Sequence, residues 1–167
     1  MSETSSFDAF YAASARRVLH AMYAMTGDLA EAQDCVQEAY ARAWQRWGRV
    51  AGYDDPEAWV RTVAWRLAVN RWRRGRNALA ALVRHGPPPP GRPPSEDNVA
   101  IVAALRQIPE AQRRAIVLHH LCGHSVEDVA RETEAPVGTV KARLSRGRAA
   151  LAALLSEDEP DKETSLA

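Results

Sequence analysis

The sequence predicts an all-α protein: two small helical domains, an N-terminal helical bundle and a C-terminal helix-turn-helix, joined by a Pro-rich linker. Three observations predict it. Val and Ile are sparse while Ala and Arg are abundant, which favours helix over sheet. Apolar residues recur at three- and four-residue intervals on both sides of the chain's middle. Between them stands Gly86-Pro87-Pro88-Pro89-Pro90-Gly91-Arg92-Pro93-Pro94, which can be neither helix nor central strand. Four consecutive prolines favour an extended, semi-rigid segment. The expected division is therefore 1–76, a linker 77–97, a second domain 98–155 and an acidic tail 156–167.

The elements follow in order. Phe7, Phe10, Tyr11, Ser14, Val18 and Met22 keep helical spacing. Asp28 is placed to cap a second long helix, with Leu29, Ala32, Val36, Ala39/Tyr40, Ala43 and Trp47 as its inward stripe and Gly48 and Gly52 as its end. Asp34, Gln37, Glu38 and Ala41 lie off that stripe. Asp55-Pro56 opens the next helix, cap then first-turn proline, running to about Arg74. Its expected inward face is Val60, Val63 and Leu67. In the second domain Ile101, Leu105 and Ile108 mark one helix, stopped by Pro109. Glu110–His120 is the next, closed by Gly123. Ser125 caps a short helix, Val126–Thr133, with Asp128 three residues on. Glu134-Ala135-Pro136 is a tight turn, and Val137–Leu155 is a last helix with Val137, Val140, Leu144, Leu151 and Leu154/Leu155 inward.

Charge then points to function. The 22 Lys+Arg nearly cancel the 21 Asp+Glu, yet the cations are not evenly spread. The segment 58–76 holds Arg61, Arg66, Arg71, Arg73, Arg74 and Arg76 with no acid, and 137–155 holds Lys141, Arg143, Arg146 and Arg148, again with none. A solvated face usually mixes signs, so two acid-free basic helices favour polyanion binding. A short helix, a tight turn and a longer basic helix form a helix-turn-helix, with Val129 and Ala130 meeting Val140 and Leu144 inside. The outward face is Gly138, Thr139, Ala142, Ser145, Arg146 and Ala149, flanked by Lys141, Arg143 and Arg148. Small residues let the backbone enter a major groove, Arg146 matches a guanine edge, and the flanking cations suit phosphates.

The helix 56–74 interleaves arginines with Trp65 and Trp72. Rings that stack on exposed bases and guanidiniums that hold phosphates make a single-stranded nucleic-acid platform. A core role for Trp65 and Trp72 fits the spacing equally well, while Trp44, Trp47 and Trp59 are expected in the core. No cofactor or metal is expected. His119, His120, Cys122 and His124 cluster, but Gly123 ends the helix between them, so helix-end packing is favoured over a zinc site. No serine sits in a nucleophile elbow and no Gly-rich phosphate loop occurs, so no enzyme is expected. No apolar run nears the roughly 20 residues of a membrane span, the N-terminus lacks a secretory pattern, and two distant cysteines, Cys35 and Cys122, fit a reducing cytoplasm.

At Asp28-Leu-Ala-Glu-Ala-Gln-Asp34-Cys-Val-Gln37-Glu38-Ala-Tyr40-Ala-Arg42-Ala-Trp44, Pro56-Glu-Ala-Trp59-Val-Arg-Thr62-Val63-Ala64, Ser125-Val-Glu-Asp-Val129-Ala130 and Gly138-Thr139-Val140-Lys141-Ala-Arg143-Leu144-Ser145-Arg146-Gly-Arg148, the chain resembles a bacterial sigma factor of the extracytoplasmic-function (ECF) group, sigma-70 family. The resemblance covers about 7–75 and 98–155. It implies that the first domain is region 2, whose second helix docks on the clamp helices of the RNA polymerase β′ subunit, with Asp34, Gln37, Glu38 and Arg42 as the contacts carried over by position. It implies that the following basic helix recognises the −10 element and holds a base flipped from the melted non-template strand, with Arg61, Trp65, Arg66, Asn70, Arg71, Arg73 and Arg74 as candidate contacts. Region 4 would read the −35 element as duplex through Gly138, Thr139, Lys141, Ala142, Arg143, Ser145, Arg146 and Arg148, and touch the polymerase β flap. The chain departs from many members at Trp65-Arg66, where they carry Arg-Asn, and at Asn70, where they carry Asp. Most members are held by an anti-sigma factor, a further expected class of partner that no residue here identifies. A monomer is expected when free, without membrane insertion. The competing reading is a stand-alone helix-turn-helix regulator, which leaves the Arg/Trp helix and the polar stripe of the first domain without a role.

Overall fold

Four helices start where the sequence supplies a side-chain acceptor for an unpaired first-turn amide, at Ser2, Asp28, Asp55 and Ser125. The computed structural model describes residues 2–79 and 96–157, all helix, turn and loop, with no strand among the described residues. Two units separate, Met1–Arg92 and Pro93–Ala167.

In the first unit, α1 spans Glu3–Thr26, capped by Ser2 and ended by Gly27 in the left-handed region (φ 72°), whose N–H donates to the Tyr23 carbonyl. The Glu31 amide donates to Asp28 Oδ1 at 3.0 Å and opens α2, Leu29–Gln45. The Ala58 amide donates to Asp55 Oδ1 at 2.9 Å and opens α4, Pro56–Leu79. Both caps stand where the sequence puts them. The end of α2 does not. Its backbone leaves helical geometry at Arg46, short of Gly48, and a single turn, α3 (Trp47–Val50), follows. The break swings the Trp47 ring under α1, 5.0 Å from the Phe10 ring and 5.3 Å from the Phe7 ring. α2 packs against α1 and α4 through Ala32, Cys35, Val36, Ala39, Tyr40 and Ala43, all buried. α4 is longer than expected, continuing beyond Arg74 to Leu79 and so past the expected domain boundary at 76. It is also rotated by about one position. Val60, Arg61, Ala64 and Ala68 face the core, while Val63 and Leu67 are only half-buried. Small alanines at 64 and 68 let α4 lie close on α2, which explains why the larger residues move to the flank.

In the second unit, α5 spans Glu96–Gln107, α6 Glu110–Ile116, α7 Val126–Thr133 and α8 Val137–Glu157. α5 buries Val102 and Leu105, Ile108 is buried just past its end, and Ile101 is 50% exposed, against the expected Ile101-led stripe. Helical spacing permits either phase, and packing on α6 and α8 selects the second. The expected helix Glu110–His120 is α6 followed by a π-helical turn, Val117–Leu121. The Cys122 amide donates to the Val117 carbonyl and the His124 amide to that of Leu118, with Gly123 left-handed at φ 72°, so the glycine does close the segment. Ser125 accepts from the Asp128 amide at 3.1 Å and caps α7. Val129 and Ala130 meet Val140 and Leu144 in the core, as the helix-turn-helix pattern requires. The inward line of α8 is Val140, Leu144 and Gly147, and the expected Val137 and Leu155 are exposed. A Cβ at Gly147 would stand 3.0 Å from Ile116 Cγ1, so glycine sets how closely α6 and α8 approach. Of the expected linker, residues 80–95 lie outside the described residues, as does most of the acidic tail, 158–167.

Candidate nucleic-acid interface

Burial of Val60, Ala64 and Ala68 fixes which side of α4 is left to solvent. Arg66, Asn70 and Arg73, at i, i+4 and i+7, stand opposite that stripe, and all three are exposed. Arg74 and Arg71 are exposed on its edges. Trp65 is half-buried on one flank and Trp72, on the same flank, is 50% exposed. The expected cationic, aromatic-flanked face is therefore assembled, with one correction. Arg61 is only 3% exposed, and its Nη1 lies 3.9 Å from Glu57 Oε1. A charged side chain is buried only when paired, and Glu57 is also gripped by Arg17, whose Nη2 and Nε stand 2.8 and 3.2 Å from its carboxylate oxygens. Arg61 thus belongs to the internal charge set that ties α1 to α4, not to the outward face.

On α2, Asp34, Gln37, Glu38 and Arg42 are all exposed and share one side, with Arg42 Nε donating to Glu38 Oε1 at 2.9 Å. Behind them lies a buried polar contact that the sequence did not announce. Ser14 Oγ donates to the Phe10 carbonyl at 2.7 Å, and Tyr40 Oη, 2.7 Å from Ser14 Oγ, must donate to it. Burial pushes the Tyr40 phenol up to about 12. Trp44 departs from its expected core position. It is 44% exposed and leans on the Phe7 ring at 5.1 Å, while Trp47 is buried and Trp59 half-buried.

The turn between α7 and α8 carries Glu134 at φ 52°, unusual for a non-glycine residue, held by an Ala135 amide that donates to the Ala130 carbonyl at 3.0 Å. From it α8 exposes Gly138, Lys141, Ser145, Arg146 and Arg148 and leaves Thr139, Ala142 and Arg143 half-buried. Nothing lies within 4 Å of where a Gly138 Cβ would be. Packing therefore gives no reason for glycine there. The histidines beside this helix are engaged in packing. His119 Nδ1 is 2.7 Å from the His124 carbonyl, His124 Nε2 is 3.3 Å from Glu132 Oε2, and the His119 and His120 rings meet edge-on at 4.8 Å. Burial, then His119 and Arg148, hold the His120 ring below its usual range. No group of metal-holding side chains occurs among the described residues. No described helix is long and apolar enough to cross a membrane.

Residues 10–78 match the family described as Sigma-70 region 2, and residues 98–151 match Sigma-70, region 4. The ECF RNA polymerase sigma factor SigL of Mycobacterium tuberculosis is 33% identical over 140 residues, covering 80% of this chain and 79% of that protein. The chain belongs to the ECF sigma factors of the sigma-70 family. The ECF sigma factor EcfG of Rhodopseudomonas palustris is 30% identical over 138 residues, covering 80% and 76% of the two chains. Among solved structures, the sigma factor RpoE of Bartonella quintana, crystallised with the anti-sigma factor NepR, is 25% identical with a TM-score of 0.76, covering 92% of this chain and 99% of that one. This sigma factor binds the RNA polymerase core, takes part in transcription initiation and is not an enzyme. The α7–turn–α8 unit is the DNA-binding helix-turn-helix of its region 4.

Proposed function

We propose that this sigma factor reads a promoter in two places and holds it partly melted. The outward face of α4, with Arg66, Asn70, Arg73 and Arg74 and the Trp65/Trp72 flank, takes the single-stranded non-template strand at the −10 element. Unstacking a base costs a few kcal/mol, which stacking and phosphate contacts must offset. The outward face of α8, from Gly138 to Arg148, takes the −35 duplex in the major groove. The α2 stripe Asp34, Gln37, Glu38 and Arg42 docks on the β′ clamp helices, and region 4 meets the β flap. The site of action is the cytoplasm. An anti-sigma factor is the further partner this reading includes, because the Bartonella relative was crystallised with one.

The observation that carries the proposal is the line of Arg66, Asn70 and Arg73 on an acid-free helix surface, exposed while Arg61, on the core side, is buried. The test is run-off transcription with sigma-free core polymerase and a pool of promoter-like duplexes. Transcripts that appear with the wild-type chain and vanish with Arg73→Ala/Arg74→Ala, while core binding persists, support the reading. Tight duplex binding by the chain alone, with no transcripts and no core binding, favours a stand-alone regulator instead.

A further inference from the structure

Besides the buried Arg61, a further cation of α4 stands off the outward face. Arg71 lies on the edge nearest α2, and its Nη1 stands 3.7 Å from Asp34 Oδ2. The two partners belong to different surfaces: Asp34 to the core-docking stripe, Arg71 to the DNA-binding helix. Their side chains are 67% and 41% exposed, so each is also open to an outside partner. The surroundings are acidic. Glu31, half-buried on the same side of α2, has its carboxyl pushed up first by burial and then by Asp28 and Asp34, with Arg71 acting in the opposite sense. The thiol of the buried Cys35 is likewise raised by burial and held back by Arg71. A phosphate that approaches Arg71 in the free protein therefore meets the Asp34 carboxylate, which repels it and already holds the guanidinium.

We propose that the Asp34–Arg71 pair couples core docking to DNA binding: Asp34 restrains Arg71 in the free sigma factor, and polymerase, by engaging the Asp34 carboxylate, releases Arg71 to a promoter phosphate. This rests on the assignment of the α2 and α4 surfaces given above. Coupling between two binding events is reciprocal, so DNA also strengthens core binding by the same factor. An exposed pair contributes about 0.2–1 kcal/mol, which converts to at most about a fivefold effect. Freeing one cation to make one more phosphate contact steepens the salt dependence on single-stranded DNA by about 0.7 in log–log slope.

The experiment compares wild type, Asp34→Asn, Arg71→Gln and the double variant, each checked for folding by circular dichroism. Fluorescence anisotropy reads binding of the full chain alone to a labelled single strand of random sequence at low salt. The same variants, saturated with core polymerase, are titrated with a fork-junction form of a promoter recovered by run-off. In the free chain, Asp34→Asn tightens binding about two- to fivefold and steepens the salt slope; in the Arg71→Gln background it does neither. In the saturated holoenzyme the gain disappears while Arg71→Gln still weakens binding. An equal Asp34→Asn effect in both backgrounds, no gain, or no measurable binding by the free Asp34→Asn chain overturns the coupling. If Arg71→Gln nonetheless weakens the holoenzyme, the DNA-binding role of Arg71 stands without it. If Arg71→Gln has no effect in holoenzyme, that role fails too.

Discussion

Gly147→Val probes how the recognition helix is seated. Gly147 is buried where α8 crosses α6, and a Cβ there would stand 3.0 Å from Ile116 Cγ1, 3.3 Å from Ile116 Cδ1 and 3.4 Å from Gln112 Cβ. A lone methyl would gain up to about 1 kcal/mol of helix propensity over glycine, offset by that contact. Valine adds two further carbons in a seam with no room for them, and overpacking of this kind costs about 1–3 kcal/mol. Region 4 should therefore unfold at lower urea concentration, and duplex binding should weaken because α6 positions α8. The assay has a built-in internal control. All five tryptophans lie between Trp44 and Trp72, so fluorescence follows the first unit, whereas far-ultraviolet circular dichroism follows both. A shift seen by dichroism and not by fluorescence locates the loss in region 4. Ile116→Ala on its own costs about 2–5 kcal/mol, but together with Gly147→Val the sum should fall short of additivity by about 0.5–3 kcal/mol, because the smaller partner makes the room. An unshifted dichroism transition in Gly147→Val, or strict additivity in the double variant, would refute the close-packing argument.

Three further outcomes follow from the same geometry. Gly138→Leu meets open space, so the urea midpoint should hold or rise while −35 duplex binding by the holoenzyme falls at least about tenfold, a loss of one bidentate contact's worth or more; unchanged binding in a gel-shift titration would remove Gly138 from the interface. Arg61→Ala should lower the urea midpoint of the fluorescence transition, because it strips a buried cation from Glu57, whereas Arg73→Ala should leave that midpoint within about 0.5 kcal/mol and weaken promoter opening, read by permanganate footprinting. For Tyr40, the phenol ionises near 10 in an unfolded chain and about 12 in the fold. Between those values the unfolded chain gives up a proton that the folded one keeps, so stability fully present below pH 10 drains as pH rises through 12; urea midpoints at pH 9 and pH 11 should diverge more for wild type than for Tyr40→Phe.

Caps and turn residues were legible because their chemistry is local. Asp28, Asp55 and Ser125 each place an oxygen beside an unpaired amide three residues on, and nothing distant competes for that role. The helix-turn-helix was legible for a similar reason, since its small and apolar positions are close in sequence to one another. The rotation of α4 was not. Apolar residues occupy most of its circumference, with Val63 and Leu67 on one side, Ala64 and Ala68 on another and Trp65 and Trp72 on a third, so periodicity alone leaves the inward direction open. What selects it is α2, whose Ala32, Ala39 and Ala43 make a shallow surface on which small residues pack closely and large ones do not. The π-turn after Ile116 was hidden likewise, because a π-turn is written in backbone hydrogen bonds rather than in residue types.

Arg61 shows why this matters for function. Its charge and its place among five other arginines assign it to a polyanion-binding face, and Arg66, Arg73 and Arg74 do stand exposed on one. The rotation that buries Ala64 carries Arg61 inward with it, to within 3.9 Å of a carboxylate that Arg17 also holds. The tie between α1 and α4 there is the Arg17–Glu57 pair, and Arg61 sits buried beside it. Charge composition gathers these arginines on one helix; only the packing of alanines beneath it decides which of them face solvent.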